Sequence, residues 1–553
     1  MDRTITINRR TLFQGTGAVA LLAALAACGD SGSSKTGSGG SGKIDTLTVA
    51  LPSSLTNLYP GKEAGIVNYF VATLVLEGLV APDSSGALAP ALAKSWKQAT
   101  PTTYVYELRE DATFSDGSAV TPEDIVYSVN LAKDAKVAPN TAYYWANVKG
   151  AKKTGPQQVT ITLSSPDVAF AWGPTAANAF WVTAERFVTA AGGVAQLGTT
   201  KGLVTGTGPY KVTSFTPDSG VVLEATGKWW GGNVAIKKVE IKFIPEESTR
   251  ILARESGDID LAVNVSISQA AQWKKAGSTT VLFAPNRSYV GIDFNTAVAP
   301  FDDVHVRRAI AYAADRAGYV TSLLGGHGQP ATALTTPEQV ASLYTDSEAL
   351  QKLALLDLPY DLDKAKAELA QSKVPQGFKT TVGVASDARE VSLVFQALAE
   401  AVKELGIGEV SLVFQALAEA VKELGIEIEI KEMPTEQWYG TIGSDKYGLA
   451  YMSYFNTTGD PAELPNWFLG AGNPASYKNP KVAALLAKAT SETDESARVD
   501  ELIEAQRLAL ADVAYLPLWW GEAAYAIESS YTIEDLGSYT LLSPWTQRIK
   551  SRG

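Results

Sequence analysis

Residues 409–430, EVSLVFQALAEAVKELGIEIEI, join a helix pattern to a strand pattern, and they decide the fold class. The apolar spacing predicts a helix that ends at Gly425, because glycine adopts the left-handed conformation at a helix C-terminus without steric cost. Isoleucine and glutamate then alternate over 426–430, which is typical of a strand. Residues 378–384, FKTTVGV, predict another strand upstream. Together these segments predict a strand-helix-strand unit.

The helix pattern is present twice. Residues 390–407 are identical to residues 409–426, so the second copy begins 19 residues after the first. One continuous helix would turn the second apolar stripe ~100° away from the first, and one sheet could not cover both stripes. A solenoid is excluded because it needs at least three repeats. We predict that one copy packs on the sheet, while the other bulges outward or forms an added hairpin arm.

The mixture of helices and strands continues along the chain. We predict strands over 44–51, 104–108, 158–163, 210–224 and 239–245. We predict helices over 68–77, 122–133, 304–317, 360–370, 480–489 and 495–511. Thr121 and Pro122 mark one helix start, since threonine caps a helix and proline suits its first position. Intermingled helices and strands favour an α/β fold over a sandwich or a bundle.

The single cysteine, Cys28, ends the sequence LAAC after an uncharged, largely apolar stretch. Arg9 and Arg10 precede that stretch, and a Gly/Ser-rich tract follows it. A basic start, a short apolar run and small residues before a cut site predict an export signal. The LAAC ending resembles a bacterial lipobox, which implies lipid attachment to Cys28. We therefore predict a signal peptide over 1–27, a flexible tether over 28–43, and an extracytoplasmic protein anchored to the cell membrane by lipid.

Two further interpretations of this region stay open. Residues 8–13, NRRTLF, resemble a twin-arginine export motif, but an ordinary secretory signal also needs basic residues here. Cys28 could also be a buried or reactive thiol that happens to follow small residues.

If the signal is removed, the formal net charge changes from −12 to −14, since residues 1–27 hold three arginines and one aspartate. A surface this acidic excludes nucleic-acid binding, which needs clustered lysine and arginine.

Catalytic and metal-binding patterns are scarce. The two histidines, His305 and His327, belong to no HExxH motif and no Cys/His cluster. The sequence has neither a nucleophile elbow nor a phosphate-binding P-loop. With one cysteine, an intrachain disulfide is impossible. We expect no metal, no cofactor and no enzyme activity, although the many carboxylates leave an exported hydrolase as an alternative.

Several ordered motifs resemble one family of proteins. They are LAPALAKSW at 88–96, YELR at 106–109, FSDGS at 114–118, TPEDI at 121–125, GTGPYKV at 206–212, WWGG at 229–232, PFDDV at 300–304, VRRAI at 306–310 and YDLDKA at 360–365. Single motifs of this kind are weak, but the ordered set is similar to the bacterial extracellular solute-binding proteins of family 5. That family includes the peptide- and nickel-binding proteins that serve ABC importers.

The resemblance implies a two-lobed, periplasmic-binding-protein-like fold of class II, with an extra subdomain inserted in lobe I. Lobe I is expected over 44–81, 206–289 and 521–553, the inserted subdomain over 82–205, and lobe II over 290–520. A solute would bind between the lobes, and hinge closure would bury it. The expected partners are a small-molecule or peptide ligand, the ABC permease subunits and, through the lipid, the membrane. We expect a monomer.

The resemblance also implies ligand-binding positions. Eight residues are predicted to line the cleft: Asn264, Tyr289, Tyr454, Phe455, Thr457, Trp519, Trp520 and Tyr144. Peptide-binding relatives often carry an aspartate where this chain has Thr457, and that aspartate pairs with the peptide ammonium. Threonine supplies no charge, and Asp460 is the candidate replacement, although its equivalent in relatives is typically structural. A short peptide is the first expectation for the solute. An oligosaccharide or another polar solute is the second, favoured by Thr457 and the tryptophans, and a partner in signalling is a third possibility.

Overall fold

The computed structural model describes residues 44–552 except 64–65, 140, 176–179, 386–416, 434–436, 438–440, 442–446 and 457. The strands are β1 Ile44–Leu51, β2 Val80–Pro82, β3 Leu88–Pro90, β4 Ala93–Thr100, β5 Thr103–Leu108, β6 Val148–Gly155, β7 Gln158–Leu163, β8 Tyr210–Thr216, β9 Gly220–Ala225, β10 Ile236–Phe243, β11 Leu261–Val265, β12 Thr279–Phe294, β13 Gln329–Pro330, β14 Lys379–Ala385, β15 Glu427–Met433, β16 Leu449–Phe455, β17 Tyr515–Glu528, β18 Tyr531–Ile533 and β19 Ile549–Ser551. The helices are α1 Ile66–Val75, α2 Pro122–Lys133, α3 Glu185–Ala190, α4 Glu247–Glu255, α5 Ala270–Trp273, α6 Val304–Ala313, α7 Arg316–Leu323, α8 Asp346–Lys352, α9 Leu362–Ala370, α10 Glu463–Leu469, α11 Pro480–Ala489 and α12 Glu495–Ala511.

Two long antiparallel strands, β12 and β17, occupy the middle of an 11-stranded mixed sheet. The sheet has the order β15-β14-β16-β12-β17-β11-β1-β10-β9-β8, and β13 pairs separately with β17. The pairing of β12 with β17 extends from Thr279 opposite Glu528 to Asp293 opposite Tyr515, and its register shifts between Pro285 and Tyr289. On one side of this shift β17 pairs with β11, and on the other β12 pairs with β16.

Separate hydrophobic cores lie on the two sides of the register shift. The buried members of one core all fall between Tyr289 and Trp520. The other core combines residues near the start of the described chain, such as Leu47 and Phe70, with residues near its end, such as Tyr525 and Trp545. We call these two bodies lobe II and lobe I. Because β12 and β17 connect the two cores, bending of these strands can move one lobe against the other.

The inserted subdomain has its own sheet and its own core. Its four strands have the order β4-β5-β7-β6. The core around them includes Tyr106, Ile125, Trp145 and Phe180. Helix α2 packs against this sheet and begins with a capping box, in which Thr121 and Asp124 each satisfy the backbone N–H of the other. The sequence prediction of this helix start is confirmed.

Two predicted elements are each divided into two in the structure. The predicted strand over 210–224 is a hairpin, β8 and β9, that turns through Asp218 at a φ of 58°. The predicted helix over 304–317 ends at Ala313, because Asp315 caps a new helix by accepting a hydrogen bond of 2.8 Å from the Gly318 amide. The hairpin turn was signalled by the turn-forming sequence TPDSG at 216–220, whereas the helix is divided inside a largely apolar stretch.

The strand-helix-strand unit predicted from 378–430 is present. Strands β14 and β15 are parallel neighbours, from Lys379 opposite Glu427 to Ala385 opposite Met433. The last turns of the second copy precede β15, and Leu417, Val421 and Leu424 are buried in the core of lobe II. The first copy, 390–407, and the start of the second lie outside the described residues, so the predicted fate of the extra copy stays a prediction.

The buried carboxylate of Glu77 contacts the tryptophan pair Trp229 and Trp230. Both indole Nε1–H groups donate to its oxygens at 3.0–3.1 Å. The Arg109 guanidinium lies 3.6 Å from the centre of the Trp230 ring. Burial raises the pKa of Glu77 to about 7, although the two tryptophans favour its charged form. This carboxylate therefore changes charge near neutral pH.

We expect Glu77 to make the protein less stable as the pH rises. An unfolded glutamate titrates near pH 4.5, so between about pH 4.5 and 7 the folded state binds the additional proton. Its stabilising contribution is complete below pH 4.5 and is lost as the pH passes 7, an effect of up to about 3 kcal/mol. Urea unfolding at pH 5 and pH 8 should show that Glu77→Gln is more stable than the wild type at pH 8 only.

The exposed residue Glu255 provides the control. Glu255→Gln should keep the pH dependence of the wild type. If Glu77→Gln also keeps that dependence, Glu77 is not the titrating group.

Candidate functional site

A cavity of about 260 Å³ lies where β12 and β17 cross between the lobes. Its lining comes from lobe I, from lobe II and from both crossing strands. The lining residues are Phe70, Asn264, Val265, Pro285, Asn286, Phe455, Glu522, Ala523, Ala524, Tyr525, Ser538 and Leu542. Most of these side chains are apolar, with Asn264, Asn286, Glu522 and Ser538 as the polar groups. Small-molecule sites commonly combine an apolar wall with a few polar groups in this way.

Two of the predicted ligand-binding residues line the cavity. Asn264 lies on β11 with a φ of 50°, a left-handed conformation that asparagine tolerates better than most residues. None of the hydrogen bonds within the described part of the chain uses its side-chain amide. Phe455, at the end of β16, contributes an aromatic wall from lobe II. The two residues therefore face the same cavity from different lobes.

Three other predicted residues belong to the core of lobe II. Tyr289 is fully buried, and its ring packs edge-on against Phe468 with the ring centres 5.5 Å apart. Trp519 and Trp520 are each 6% exposed, and their backbones pair with β13. None of the three lines the cavity. Their strands do cross between the lobes, but these three side chains pack in the core of lobe II.

Tyr144 and Tyr454 do not line the cavity. The Tyr454 hydroxyl donates to Glu463 at 3.5 Å, and the Tyr454 ring lies 6.3 Å from that of Trp467. Burial raises the pKa of Tyr454, and the negative charge of Glu463 raises it further. Tyr144, in the inserted subdomain, packs against Tyr143 with the ring centres 4.0 Å apart. The neighbouring Trp145 lies instead in the core of the subdomain.

The position expected to recognise a peptide ammonium, Thr457, lies outside the described residues. Its proposed replacement, Asp460, is buried and accepts a hydrogen bond of 2.7 Å from Arg498. The same Asp460 oxygen accepts a hydrogen bond of 2.8 Å from the Ala462 amide, next to the start of α10. Asp460 therefore holds the loop after β16 against α12, and its charge is already neutralised.

Sequence reasoning did not identify five of the cavity residues that carry polar or aromatic groups: Phe70, Asn286, Glu522, Tyr525 and Ser538. A signal was available for one of them, because Asn286, Arg287 and Ser288 place three consecutive polar residues in the middle of the crossing strand. In a buried central strand, such an interruption indicates a bulge or a site.

Both histidines have carboxylate partners. His305 Nδ1 lies 2.7 Å from Glu368, and His327 Nδ1 lies 3.1 Å from Glu522 at the cavity. The His327 ring also stacks on Phe283, with the ring centres 3.5 Å apart. Within the described ranges, no group of three or more histidine, cysteine, aspartate or glutamate residues could hold a metal ion.

Two lobes joined by two crossing strands, with a cavity at the crossing lined from both sides, define a two-lobed solute-binding protein. The model for the bacterial extracellular solute-binding proteins of family 5, middle part, matches residues 87–476. The chain therefore belongs to this family, whose members are extracytoplasmic binding proteins rather than enzymes. Among the described residues, no helix is both long and apolar enough to cross a membrane.

Known relatives cover nearly the whole chain. The oligopeptide-binding protein OppA of Bacillus subtilis is 24% identical over 90% of this chain and 91% of its own length. A probable D,D-dipeptide-binding periplasmic protein of Escherichia coli is 25% identical over 77% of this chain and 78% of its own length. The peptide complex of DppA from Helicobacter pylori is 19% identical, with a TM-score of 0.73 over 93% of this chain and 99% of that one. At 19% identity, the similarity to DppA shows a shared fold.

Proposed function

We propose that the protein binds a short peptide between its two lobes and delivers it to the membrane subunits of an ABC importer. The observation that carries this proposal is the cavity at the crossing of β12 and β17, lined from lobe I by Asn264 and from lobe II by Phe455. A ligand that contacts both lobes favours the closed arrangement, because it gains contacts that the open one lacks. The names of the oligopeptide- and dipeptide-binding relatives support the ligand class.

The size and lining of the cavity support a short peptide. Its volume of about 260 Å³ is just below the ~300–1,000 Å³ of typical small-molecule sites, which suits a short ligand better than a long chain. Apolar walls accept side chains, while the amides of Asn264 and Asn286 offer both donors and acceptors for peptide groups.

Thermal unfolding in the presence of separate dipeptide, tripeptide, oligosaccharide and metal-ion panels tests this proposal. A peptide at 100 times its dissociation constant should stabilise the protein by about 2.7 kcal/mol. Phe455→Ala should reduce that stabilisation, whereas Tyr143→Ala, at an exposed residue that does not line the cavity, should keep it. Stabilisation by oligosaccharides alone would contradict the peptide assignment. Chemical conversion of the bound compound, followed by mass spectrometry, would favour the exported hydrolase.

We also propose that residues 1–27 direct export and that lipid on Cys28 then anchors the protein to the outer face of the membrane. Support comes from the LAAC sequence and from the Gly/Ser-rich tether that follows it. Cys28→Ser should move the protein from the membrane fraction to the soluble extracytoplasmic fraction after cell fractionation. Arg9→Lys combined with Arg10→Lys should block export only if the twin-arginine route is used. A Cys28→Ser protein that stays with the membrane would contradict the lipid anchor.

A further inference from the structure

A second cavity, of about 140 Å³, lies beside the buried carboxylate of Glu77. None of its described lining residues belongs to the core of lobe II. Its walls are largely apolar and include Leu76, Val80 and Pro544, and Glu77 is the one ionisable group among the described lining residues. It shares a single described lining residue, Leu542, with the cavity at the crossing of β12 and β17. It is therefore a separate site, formed by lobe I and the inserted subdomain.

The Glu77 carboxylate has no cation at ion-pair distance. No ion pair in the part of the chain that the structure describes includes Glu77, and the nearby Arg109 pairs instead with Asp111 at 2.7 Å. The partners of Glu77 are the neutral indole N–H groups of the tryptophan pair, at 3.0–3.1 Å. Burial raises the pKa of Glu77 to about 7, although the two indoles, Thr207 and the charge of Arg109 favour its ionised form. An ionised carboxylate has about four lone-pair sites, so it can accept a further donor.

Another buried glutamate of lobe I shows the contrast. Glu247 is 4% exposed and also accepts a hydrogen bond from an indole, at 2.8 Å from Trp273 Nε1. The Arg250 guanidinium lies 3.9 Å from its carboxylate, and Glu247 does not line the cavity. Glu247 therefore has a cation of the protein itself beside it, whereas Glu77 borders a cavity.

The size and lining of the cavity define the ligand that it fits. A cavity of ~150 Å³ holds a molecule the size of benzene, so this one admits a ligand of about six non-hydrogen atoms. The apolar walls suit an alkyl group, and the indole rings attract a cation. Pro90 lines the cavity and is exposed to solvent, which gives a small molecule a route of entry.

We propose that this cavity is a second binding site, which takes a small protonated alkylamine. The ammonium group would pair with the Glu77 carboxylate in a charge-assisted hydrogen bond, and the alkyl group would pack on the apolar wall. Because lobe II contributes none of the described lining, binding here does not need closure of the lobes. The site is therefore independent of the proposed peptide site.

A charged amine and its neutral isostere test the inference. Calorimetric titration at pH 8 compares tert-butylammonium chloride with tert-butanol, with sodium chloride as the control for ionic strength. The alcohol should bind roughly 10- to 100-fold more weakly, the factor expected for the loss of one charge-assisted hydrogen bond. Equal affinities, or no binding of the amine, would overturn the inference.

The pH dependence tests whether Glu77 is the group that binds the amine. Between pH 8 and pH 5 the carboxylate takes up a proton, so the affinity for tert-butylammonium should fall by up to roughly 100-fold. An alkylamine itself stays protonated over this range, as a lysine side chain does. An affinity that does not change with pH would contradict the role of Glu77.

Variants complete the test. Glu77→Gln should weaken amine binding at pH 8 by roughly 10- to 100-fold and remove its pH dependence, whereas Glu255→Gln, at an exposed residue, should keep both. Phe455→Ala should bind the amine as the wild type does, and a loss there would place the amine in the cavity between the lobes. If Glu77→Gln does not fold, the isostere and pH comparisons on the wild type still decide the question.

Discussion

Asp460→Ala should lower the free energy of unfolding by about 3–5 kcal/mol, because it leaves the buried Arg498 guanidinium without its counter-charge. Both side chains are less than one-tenth exposed, and Arg498 Nη2 lies 2.7 Å from Asp460 Oδ1. The substitution also removes the acceptor for the Ala462 amide. Urea unfolding followed by tryptophan fluorescence measures the loss.

An exposed ion pair of similar length provides the control. Lys352 and Asp500 approach to 2.6 Å, but their side chains are 39% and 57% exposed. Asp500→Ala should therefore cost at most about 1 kcal/mol. Combining Asp460→Ala with Arg498→Met removes both buried charges and should recover part of the lost stability. A double variant no more stable than Asp460→Ala alone would show that the unpaired charge is not the cause.

Leu417→Ala should lower the free energy of unfolding by about 2–5 kcal/mol, the usual cost of truncating a fully buried leucine. Leu417 is 0% exposed in the core of lobe II. Its counterpart in the first copy, Leu398, has the same neighbours in sequence over the whole duplicated segment. If only one copy packs on the sheet, Leu398→Ala should change stability by no more than about 0.5 kcal/mol.

The two leucines lie in identical sequence segments, so a difference in stability between the two variants reports how each copy packs and not its local sequence. Deleting residues 390–408 provides a second measurement, since the remaining copy completes a strand-helix-strand unit. Thermal unfolding of the deletion variant should stay close to that of the wild type. A large loss of stability on deletion, or equal costs for Leu398→Ala and Leu417→Ala, would show that both copies contribute to the core.

Sequence patterns predicted most of the framework because the relevant forces are local. Alternating residues in β5 and β7 set a buried face. The Thr121 cap fixed the start of α2. The divided helix at Ala313 was missed, since a new cap at Asp315 interrupts a pattern that is apolar on both sides. Helix caps and hydrophobic periodicity depend on residues close together in the chain, so the elements that they define can be predicted from one sequence.

The candidate site was less predictable because it depends on side-chain direction. The resemblance places Trp519 and Trp520 at the cleft, yet both are buried in the lobe II core. That core combines segments from Tyr289 to Trp520, so the packing of a side chain on β17 depends on residues that are far away in sequence.

The position of β17 has a consequence for biosynthesis. This strand comes from residues 515–528, near the end of the chain, yet it lies between β12 and β11 in the middle of the sheet. Until residue 528 has been synthesised, the nascent chain lacks the complete strand that joins the two halves of the sheet. The N-terminal residues are therefore synthesised long before the molecule can assume its final form. Premature termination between the end of β16 and the start of β17 would leave two half-sheets with open edges, which are prone to aggregation.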